Sequence, residues 1–407
     1  MKILFVANRV PYPPFRGDKL KIFNLAKRLS KNHELYLITF AESKEDYNYT
    51  AELEKLFKQV HIISLPKWQS YFNCLLNIFS NLPFQVAYFK SRKMHNLIKS
   101  SLKKNEIDII HTQHLRMAQF TADICSAVPP LGVCGLLDLP DAFSLYWKRR
   151  IENQKNPLRR FFEKIEYKRL YKFEGEIVKQ FNLGLVCSSE DLNYMKKEHG
   201  SANIDILRNG VDLDTFSSEG HDYSINDTLL FTGNMDYAPN VDAVGYFVKE
   251  IFPLITSHFP EVKFIIAGQR PVKQVRELKS KNIEITGFIP DLKTMYKQAA
   301  IVVSPLRFGA GTQNKVLEAM AMGIPVVSGT IGFEGLEIEN GEGVFLETTP
   351  SGFANKVVEL LGSEKLRQQT GTKGNAIARE KFSWDIISIQ LERYCKACII
   401  ESGRQES

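Results

Sequence analysis

No run of eighteen apolar residues occurs anywhere in this 407-residue chain, so no continuous hydrophobic segment is available to span a bilayer. The opening stretch "MKILFVANRV" carries an apolar run that Asn8 and Arg9 interrupt. It is too short for a signal peptide and predicts a buried first strand instead. Cysteine is sparse: six residues, at positions 74, 125, 134, 187, 395 and 398. Four sit in apolar contexts, as expected of reduced thiols in a cytoplasmic protein. Cys395 and Cys398 form a lone C-x-x-C, and without a second pair no zinc site is expected. The chain has neither a Walker loop nor a G-x-G-x-x-G fingerprint, which argues against a P-loop enzyme and an NAD-dependent dehydrogenase. It has no short-period repeat and no nucleic-acid motif, so nucleic acid is not an expected partner.

What is present is an ordinary globular composition, 44% hydrophobic and 24% charged, in a chain too long for one core. The net charge of +7 is concentrated. Residues 147–172, "WKRRIENQKNPLRRFFEKIEYKRLYK", hold ten Lys/Arg against three Glu, an excess as large as that of the whole chain. Trp147, Phe161, Phe162, Tyr167 and Tyr171 interleave with these charges. The stretch is either a solvated helix with a packed aromatic face or a surface that meets anionic lipid headgroups at a membrane.

Short apolar runs alternate with amphipathic stretches throughout. "KILFVANRV", "ELYLITF", "VHIISL", "IDIIH", "LGVCGLLDL" and "LGLVCSS" predict strands in the first half. "KLKIFNLAKRLS" places Ile22, Leu25, Ala26 and Leu29 on one helical face. The pattern restarts with "TLLFTG", "VKFIIAG", "IEITGF", "AIVVSP", "IPVVSG" and "GVFLET". Continuous apolar strands separated by helices imply parallel sheets covered on both faces. A Gly/Asn/Asp/Ser-rich linker puts the boundary near residue 208. The expected organisation is α/β: a Rossmann-like domain over 1–207, a second over 208–382, and a C-terminal helix over 383–407 crossing back to the first. Two such domains leave a cleft between the carboxyl ends of their sheets, where ligands bind.

The stretch "PLRFGAGTQNKVLEAMAMGIPVV", residues 305–327, joins a strand end, a glycine loop and a helix expected over Thr312–Met322. Helix-terminal N–H groups lack internal partners and carry partial positive charge, and Gly309 and Gly311 let a phosphate approach them. Thr312 adds a hydroxyl, and Lys315 and Arg307 add charge. Glu318, on the face of Lys315, can accept both hydroxyls of a ribose; the bland alternative is a surface acid beside a β–α connection. Gly233 and Asn234 end one strand, where they can meet phosphate or sugar oxygens. Arg270 ends the next, where it can pair with a diphosphate or with a loop. Asp291 reads as a helix cap. In the first half, Gly17 can bring amides to an oxyanion, Asp18 can cap a helix or touch an acceptor, and Lys19 and Lys21 read as solvated. His111 and His114, with Arg116, fall at a strand's carboxyl end, in the core or facing the cleft. No third ligand is near enough in sequence to make the histidines a zinc site.

"GTQNKVLEAMAMGIPVV" resembles the signature of the retaining GT-B glycosyltransferases of family 4, an E-x7-E motif running into "EAMA-G-PVV". Nearly all of the second half resembles the bacterial exopolysaccharide-type, PEP-CTERM-associated sugar transferases, through "FTGNMDYAPNVDAVGYF", "VKFIIAGQRP" and "ITGFIPDLKTMY". The resemblance implies the GT-B fold, two Rossmann-like domains facing across a cleft, and a nucleotide-diphosphate sugar as donor. It implies that Glu318 binds the donor ribose, that Gly287, Phe288 and Ile289 hold the base, and that Gly311, Thr312, Gln313, Asn314 and Lys315 hold the donor. The motif's earlier acid is replaced by Ala310. Asp138 and Asp141 stand where members often carry a histidine that contacts the donor sugar; Asp141 can instead cap a helix. The expected catalytic groups are Asp138, His111, His114 and Lys315, with Asp18, Arg116 and Asp141 toward the acceptor.

Such a reaction must stabilise an oxocarbenium-like sugar and a departing diphosphate. With Arg270, Lys315 and a helix N-terminus serving the diphosphate, and no D-x-D pair in a strand-end loop, neither metal nor other cofactor is expected. The acceptor is expected to be a glycan or a lipid-linked glycan. Two rivals keep the cleft but change the chemistry. A nucleotide-sugar epimerase would turn over without acceptor, and a non-catalytic sensor would bind nucleotide with no turnover at all.

Overall fold

The computed structural model describes residues 1–126, 133–154, 156–200, 203–309 and 311–401. The chain divides into two compact units, Met1–Arg208 with Ile387–Ser407, and Asn209–Ile386. The first holds a parallel sheet of seven strands: β1 (Lys2–Ala7), β2 (Glu34–Ala41), β3 (Gln59–Ser64), β4 (Ile109–Gln113), β5 (Cys134–Asp138), β6 (Leu183–Val186) and β7 (Ile204–Ile206). Their order is β3-β2-β1-β4-β5-β6-β7. Ile3, Leu4, Phe5 and Val6 are all buried, because β1 lies between β2 and β4 and both of its faces are covered. The helix Gly17–Leu29 buries Ile22, Leu25, Ala26 and Leu29, one face of its 3.6-residue period.

The second unit holds β8 (Thr228–Thr232), β9 (Lys263–Ala267), β10 (Ile283–Gly287), β11 (Ile301–Ser304), β12 (Val326–Ser328) and β13 (Val344–Leu346), all parallel, in the order β10-β9-β8-β11-β12-β13. Adjacent residues of β8 serve opposite faces. Phe231 packs with Phe247, Phe264 and Phe353, whereas Leu230 packs with Val302, Val316 and Met320. In each unit the strand order reverses beside the first strand, at β1/β4 and at β8/β11. Such switch points open a crevice at the strands' carboxyl ends.

The helix Trp384–Glu401 starts in the second unit, which extends to Ile386. Trp384 is the reason: its ring is buried, so close under Gly210 that a Cβ there would lie 2.6 Å from it. From Ile387 onward the helix belongs to the first unit. There Gln390 and Tyr394 donate to the Ile206 carbonyl at 2.9 and 3.0 Å, and the Cys134 thiol donates to the Cys398 carbonyl at 2.9 Å.

The basic-aromatic stretch 147–172 is not one solvated helix with an aromatic face packed inward. It divides between the helices Phe143–Glu152 and Pro157–Ile177. Trp147 is buried, but Phe161 and Phe162 are exposed. The second helix packs inward with carboxylates: Glu163, Glu166 and Glu174 are all buried. Glu174 accepts the Phe143 and Ser144 amides at 2.7 and 3.1 Å, and Glu166 accepts those of Phe84 and Gln85 at 3.0 and 3.1 Å. Each thereby fills a helix N-terminus that has no side-chain cap of its own.

At the switch point of the second unit β8 and β9 end in two glycines that touch. Gly233 and Gly268 have φ of 152° and 154°, and a Cβ on Gly268 would lie 1.7 Å from the Gly233 carbonyl oxygen. Gly268→Ala is therefore expected to lower the stability of this unit by roughly 2–3 kcal/mol. A drop in denaturation midpoint at constant m-value measures it. An unchanged midpoint would mean that the two strand ends are not in contact.

Candidate functional site

The stretch 305–327 follows β11 with a glycine loop and the helix Asn314–Ala321, and runs into β12. Gly309 and Gly311 have φ of 149° and 70°, conformations that favour glycine. Ala310, where the family's first acid was expected, lies outside the described residues. The helix begins at Asn314, not at Thr312, because Gln313 is the N-cap, with an extended backbone and no side-chain cap bond. Buried Thr312 precedes it, while Gln313 Nε2 donates to the Gly311 carbonyl at 3.3 Å. Asn314 Oδ1 is a buried acceptor with no hydrogen-bond partner.

Lys315 points inward. Its Nζ donates to Asn240 Oδ1 at 2.8 Å and lies 3.9 Å from the centre of the Phe231 ring. Asn240 Nδ2 donates to the Asn234 carbonyl at 3.0 Å, and Gln269 Nε2 donates to Asn234 Oδ1 at 2.9 Å. The ends of β8 and β9 and the start of the helix Asn314–Ala321 are thus linked through Lys315, Asn240, Asn234 and Gln269. Burial lowers the Lys315 amine to about 7, against an upward pull from Glu318.

Glu318 is not a surface acid. Its Oε2 accepts the Tyr296 hydroxyl at 2.7 Å, and that hydroxyl also lies 2.9 Å from Thr232 Oγ1. Burial raises the Glu318 carboxyl above its ordinary value, while Tyr296 and Lys315 pull it down. The carboxylate is therefore fixed through one oxygen, at a half-buried position.

The other residues chosen in this unit divide. Arg270 lies in the loop three residues beyond the end of β9, not at the strand's end, with φ 58°, an uncommon conformation for a side-chain-bearing residue. It makes an exposed ion pair with Asp236 at 3.6 Å, which costs little to exchange for another anion. Gly287 has φ 72° and its carbonyl accepts the Gly268 amide at 3.2 Å. Phe288 beside it is exposed and Ile289 half-buried. Arg307 is committed elsewhere: it makes two hydrogen bonds to the Asp242 carboxylate and stacks 4.6 Å from the Tyr246 ring centre. Asp291 is not the N-cap of the helix Lys293–Lys297, which is Leu292, but it precedes that residue and its Oδ1 accepts the Lys293 amide at 3.1 Å.

In the first unit several expectations are corrected. Asp138 and His111, expected as catalytic groups, have no accessible surface. His111 lies inside β4, not at its end, with its ring 4.8 Å from that of Phe5. Its Nε2 is 3.3 Å from Asp138 Oδ2. Asp138 also accepts a 2.7 Å hydrogen bond from Lys21, which is 1% exposed instead of solvated and donates further to the Leu207 carbonyl at 2.9 Å. Lys21, Asp138 and His111 thus join the helix Gly17–Leu29 to β5 and β4 from within. Lys19 is not solvated either; its side chain is 10% exposed, 3.5 Å from Glu42.

Gly17 opens the helix Gly17–Leu29, but Asp18 does not cap it; Arg16 is the N-cap. The Asp18 carboxylate pairs with Arg9 at 2.5 Å, and Arg9 also holds Glu42 at 2.7 Å. Arg116, expected at the acceptor, donates to Gln85 Oε1 and lies between the rings of Phe89 and Phe143, at 5.7 and 5.4 Å. Asp141 does not cap the helix Phe143–Glu152, because Glu174 fills that terminus. It lines a small, shallow recess with His114, Leu115, Leu139, Pro140 and Phe143. His114, with φ 78°, accepts the Arg116 amide through Nδ1 at 3.3 Å. Burial holds its imidazole well below, and the Asp141 carboxyl well above, their ordinary values.

Lys21, Asn240, Gln269 and Tyr296 were not singled out for these roles. Lys21 had a signal: an aspartate closing the apolar strand "GLLD" needs a buried cation. Asn240 and Tyr296 had none, since each is polar at one end only and comes from a separate helix.

Residues 226–363 match the family described as Glycosyl transferases group 1. The chain is similar to the uncharacterized 44.6 kDa protein in the cps region of Klebsiella pneumoniae, 25% identical over 377 residues that cover 88% of this chain and 90% of that one. It is also similar to an uncharacterized glycosyltransferase of Methanocaldococcus jannaschii, 24% identical over 396 residues and 95% of either chain. Among solved structures, Anabaena HepE in complex with UDP aligns with a TM-score of 0.69 at 16% identity, over 98% of this chain and 100% of that one. HepE has also been solved in complex with UDP-glucose. The architecture is GT-B, two parallel-sheet Rossmann-like domains, and the matches together support a glycosyltransferase.

Proposed function

We propose that this chain is a retaining, metal-independent glycosyltransferase of family 4. It moves a sugar from a nucleotide-diphosphate sugar to a glycan or lipid-linked acceptor in the synthesis of a surface polysaccharide or glycoconjugate. The observation that carries the proposal is the cluster at the β8/β11 switch point: an anchored Glu318, a helix N-terminus behind two positive-φ glycines, and Lys315 tied to Asn234 through Asn240. HepE, of like fold, binds UDP and UDP-glucose, which supports placing a nucleotide sugar here.

In this scheme Glu318 accepts the ribose hydroxyls through its unanchored oxygen. The amides of the helix start and the cations of Arg270 and Lys315 take up charge as the diphosphate leaves. The acceptor oxygen bonds to the anomeric carbon on the face the diphosphate vacates. The bond from that carbon to the phosphate oxygen breaks, and the departing phosphate oxygen takes the acceptor's proton. His111 and Asp138 take no part; the recess at His114, Asp141 and Phe143 receives the acceptor.

Lys315→Ala should raise the KM for nucleotide sugar about tenfold to a hundredfold, the worth of one charge-assisted hydrogen bond. Transfer at the wild-type rate and KM would refute the phosphate role; release of nucleotide without acceptor would point to an epimerase. The pH dependence has a fixed sign. A bound diphosphate raises the Lys315 amine above its free value of about 7, so binding takes up a proton above that pH. Affinity then falls as pH rises, and calorimetry at alkaline pH in two buffers of different ionisation enthalpy reads that proton directly.

A further inference from the structure

The helix Lys67–Leu76 is amphipathic and faces the wrong way for a soluble surface. Trp68, Tyr71, Phe72, Leu75 and Leu76 recur at helical spacing and are 71%, 65%, 52%, 61% and 66% exposed; Phe79 just beyond is fully exposed. The polar residues turn inward: Ser70 is 0% exposed, and Asn73 donates to the Lys90 carbonyl at 2.9 Å. At about 200 Å² per aromatic side chain, Trp68, Tyr71, Phe72 and Phe79 together expose roughly 600 Å², at the upper end of the largest apolar patch on ordinary monomers.

A second helix extends the surface. Arg169 of the helix Pro157–Ile177 donates to the Asn77 and Ile78 carbonyls and lies 4.6 Å from the Phe84 ring centre. Glu166, one turn earlier, binds the Phe84 and Gln85 amides. Phe162 and Leu158 continue that line toward the helix start, 66% and 72% exposed, with exposed Arg159, Arg160 and Lys164 around them. Along the sequence the charge in this region has one sign: between Glu54 and Glu106 there are nine Lys/Arg and no Asp or Glu, although Lys55, Lys58 and Lys99 pair with Glu52, Glu34 and Asp123.

Aromatic and leucine side chains on one face, extended by a helix that carries exposed Arg159, Arg160 and Lys164, match the interface of a bilayer that carries anionic headgroups. We propose that this face of the first unit docks on such a bilayer, with the helix Lys67–Leu76 lying in the interface and its aromatic stripe in the acyl boundary. The contact is peripheral, since among the described residues no helix is long and apolar enough to cross a membrane. Its centre is the segment 67–79, outside the basic stretch 147–172 that the sequence singled out. The proposal does not depend on the sugar chemistry.

The test uses the full chain and vesicles of phosphatidylcholine, alone or with a minority of phosphatidylglycerol, and no nucleotide sugar. The chain should sediment with the anionic vesicles, less so as salt is raised. Trp147 and Trp384 are buried, so Trp68 reports the contact: its emission should shift to the blue and be quenched by brominated lipid. The triple variant Trp68→Ser, Phe72→Ser and Leu76→Ser should retain the wild-type melting temperature and bind at least about tenfold more weakly. Arg159→Glu with Arg160→Glu should remove most of the preference for anionic vesicles. A wild-type chain that stays in the supernatant with an unshifted Trp68 overturns the proposal. So does a solution dimer that the triple variant converts to monomer, which would assign the face to a second copy of the chain.

Discussion

Glu318→Gln should lower kcat/KM for the nucleotide sugar by about a hundredfold while leaving the fold intact. The carboxylate is fixed before any ligand arrives, because Tyr296 donates to Oε2 at 2.7 Å and is itself held near Thr232. Glutamine keeps the size and can still accept from Tyr296. It then presents an amide, in place of a charged oxygen, to the ribose. Two charge-assisted hydrogen bonds are lost, each worth roughly 1.5–3 kcal/mol and not fully additive, so a hundredfold is the conservative figure. Tyr296→Phe separates anchoring from contact: it leaves the charge but frees its orientation, and should cost about tenfold, mostly in KM. A donor lacking the ribose 2′-hydroxyl should be discriminated against by the wild type and much less by Glu318→Gln. Full activity of Glu318→Gln on an intact donor would remove the ribose contact, and with it the main support for a nucleotide-sugar site in this unit.

Lys21→Met should lower the stability of the first unit by about 3–5 kcal/mol, the usual cost of stranding one member of a buried ion pair. Asp138 would be left without its closest charge partner at a position with no solvent access. Burial pushes the Asp138 carboxyl up, but Lys21 and His111 outweigh it and hold the group below its ordinary value. Burial likewise pushes the Lys21 amine down, but Asp138 and Cys187 hold it above its ordinary value. A depressed acid contributes stability above its unfolded-state pKa and loses it as pH falls through the folded one. A raised amine contributes below its unfolded-state pKa and loses it as pH rises through the folded one. The destabilisation in Lys21→Met should therefore be greatest from neutral pH to about pH 10, shrinking toward acid as the stranded Asp138 carboxyl takes up a proton and above about pH 10 as the wild-type amine loses its own. Adding Asp138→Leu should restore most of the loss, since an apolar pair can replace a buried ion pair. A catalytic Asp138 makes the opposite prediction: stability would hardly change in Lys21→Met, and a refolded double variant would be inactive.

The strands of both units were legible because their signal is local. A run such as "KILFVA" or "TLLFT" must be buried on both faces, and only a parallel sheet under helices provides that. The glycine loop before Lys315 was legible for a similar reason, since positive φ favours glycine wherever it occurs. Of the two readings of the basic-aromatic stretch, the packed aromatic face fails, because composition does not say which way a helix faces. Phe161 and Phe162 turned outward once three glutamates of the same helix were drawn inward, Glu166 and Glu174 to fill the N-termini of neighbouring helices and Glu163 to pair with Arg150.

By itself, then, the sequence determined the two parallel α/β units and the position of the glycine loop, both of which follow from short-range pattern and backbone sterics. Only the tertiary structure decided which polar side chains are partners. It sealed Asp138 and His111 away with Lys21, drew Arg307 to Asp242, and set Tyr296 against Glu318. The physical reason is that the cost of burying a charge is met by groups distant in the chain, and no local pattern records which of them the fold brings near.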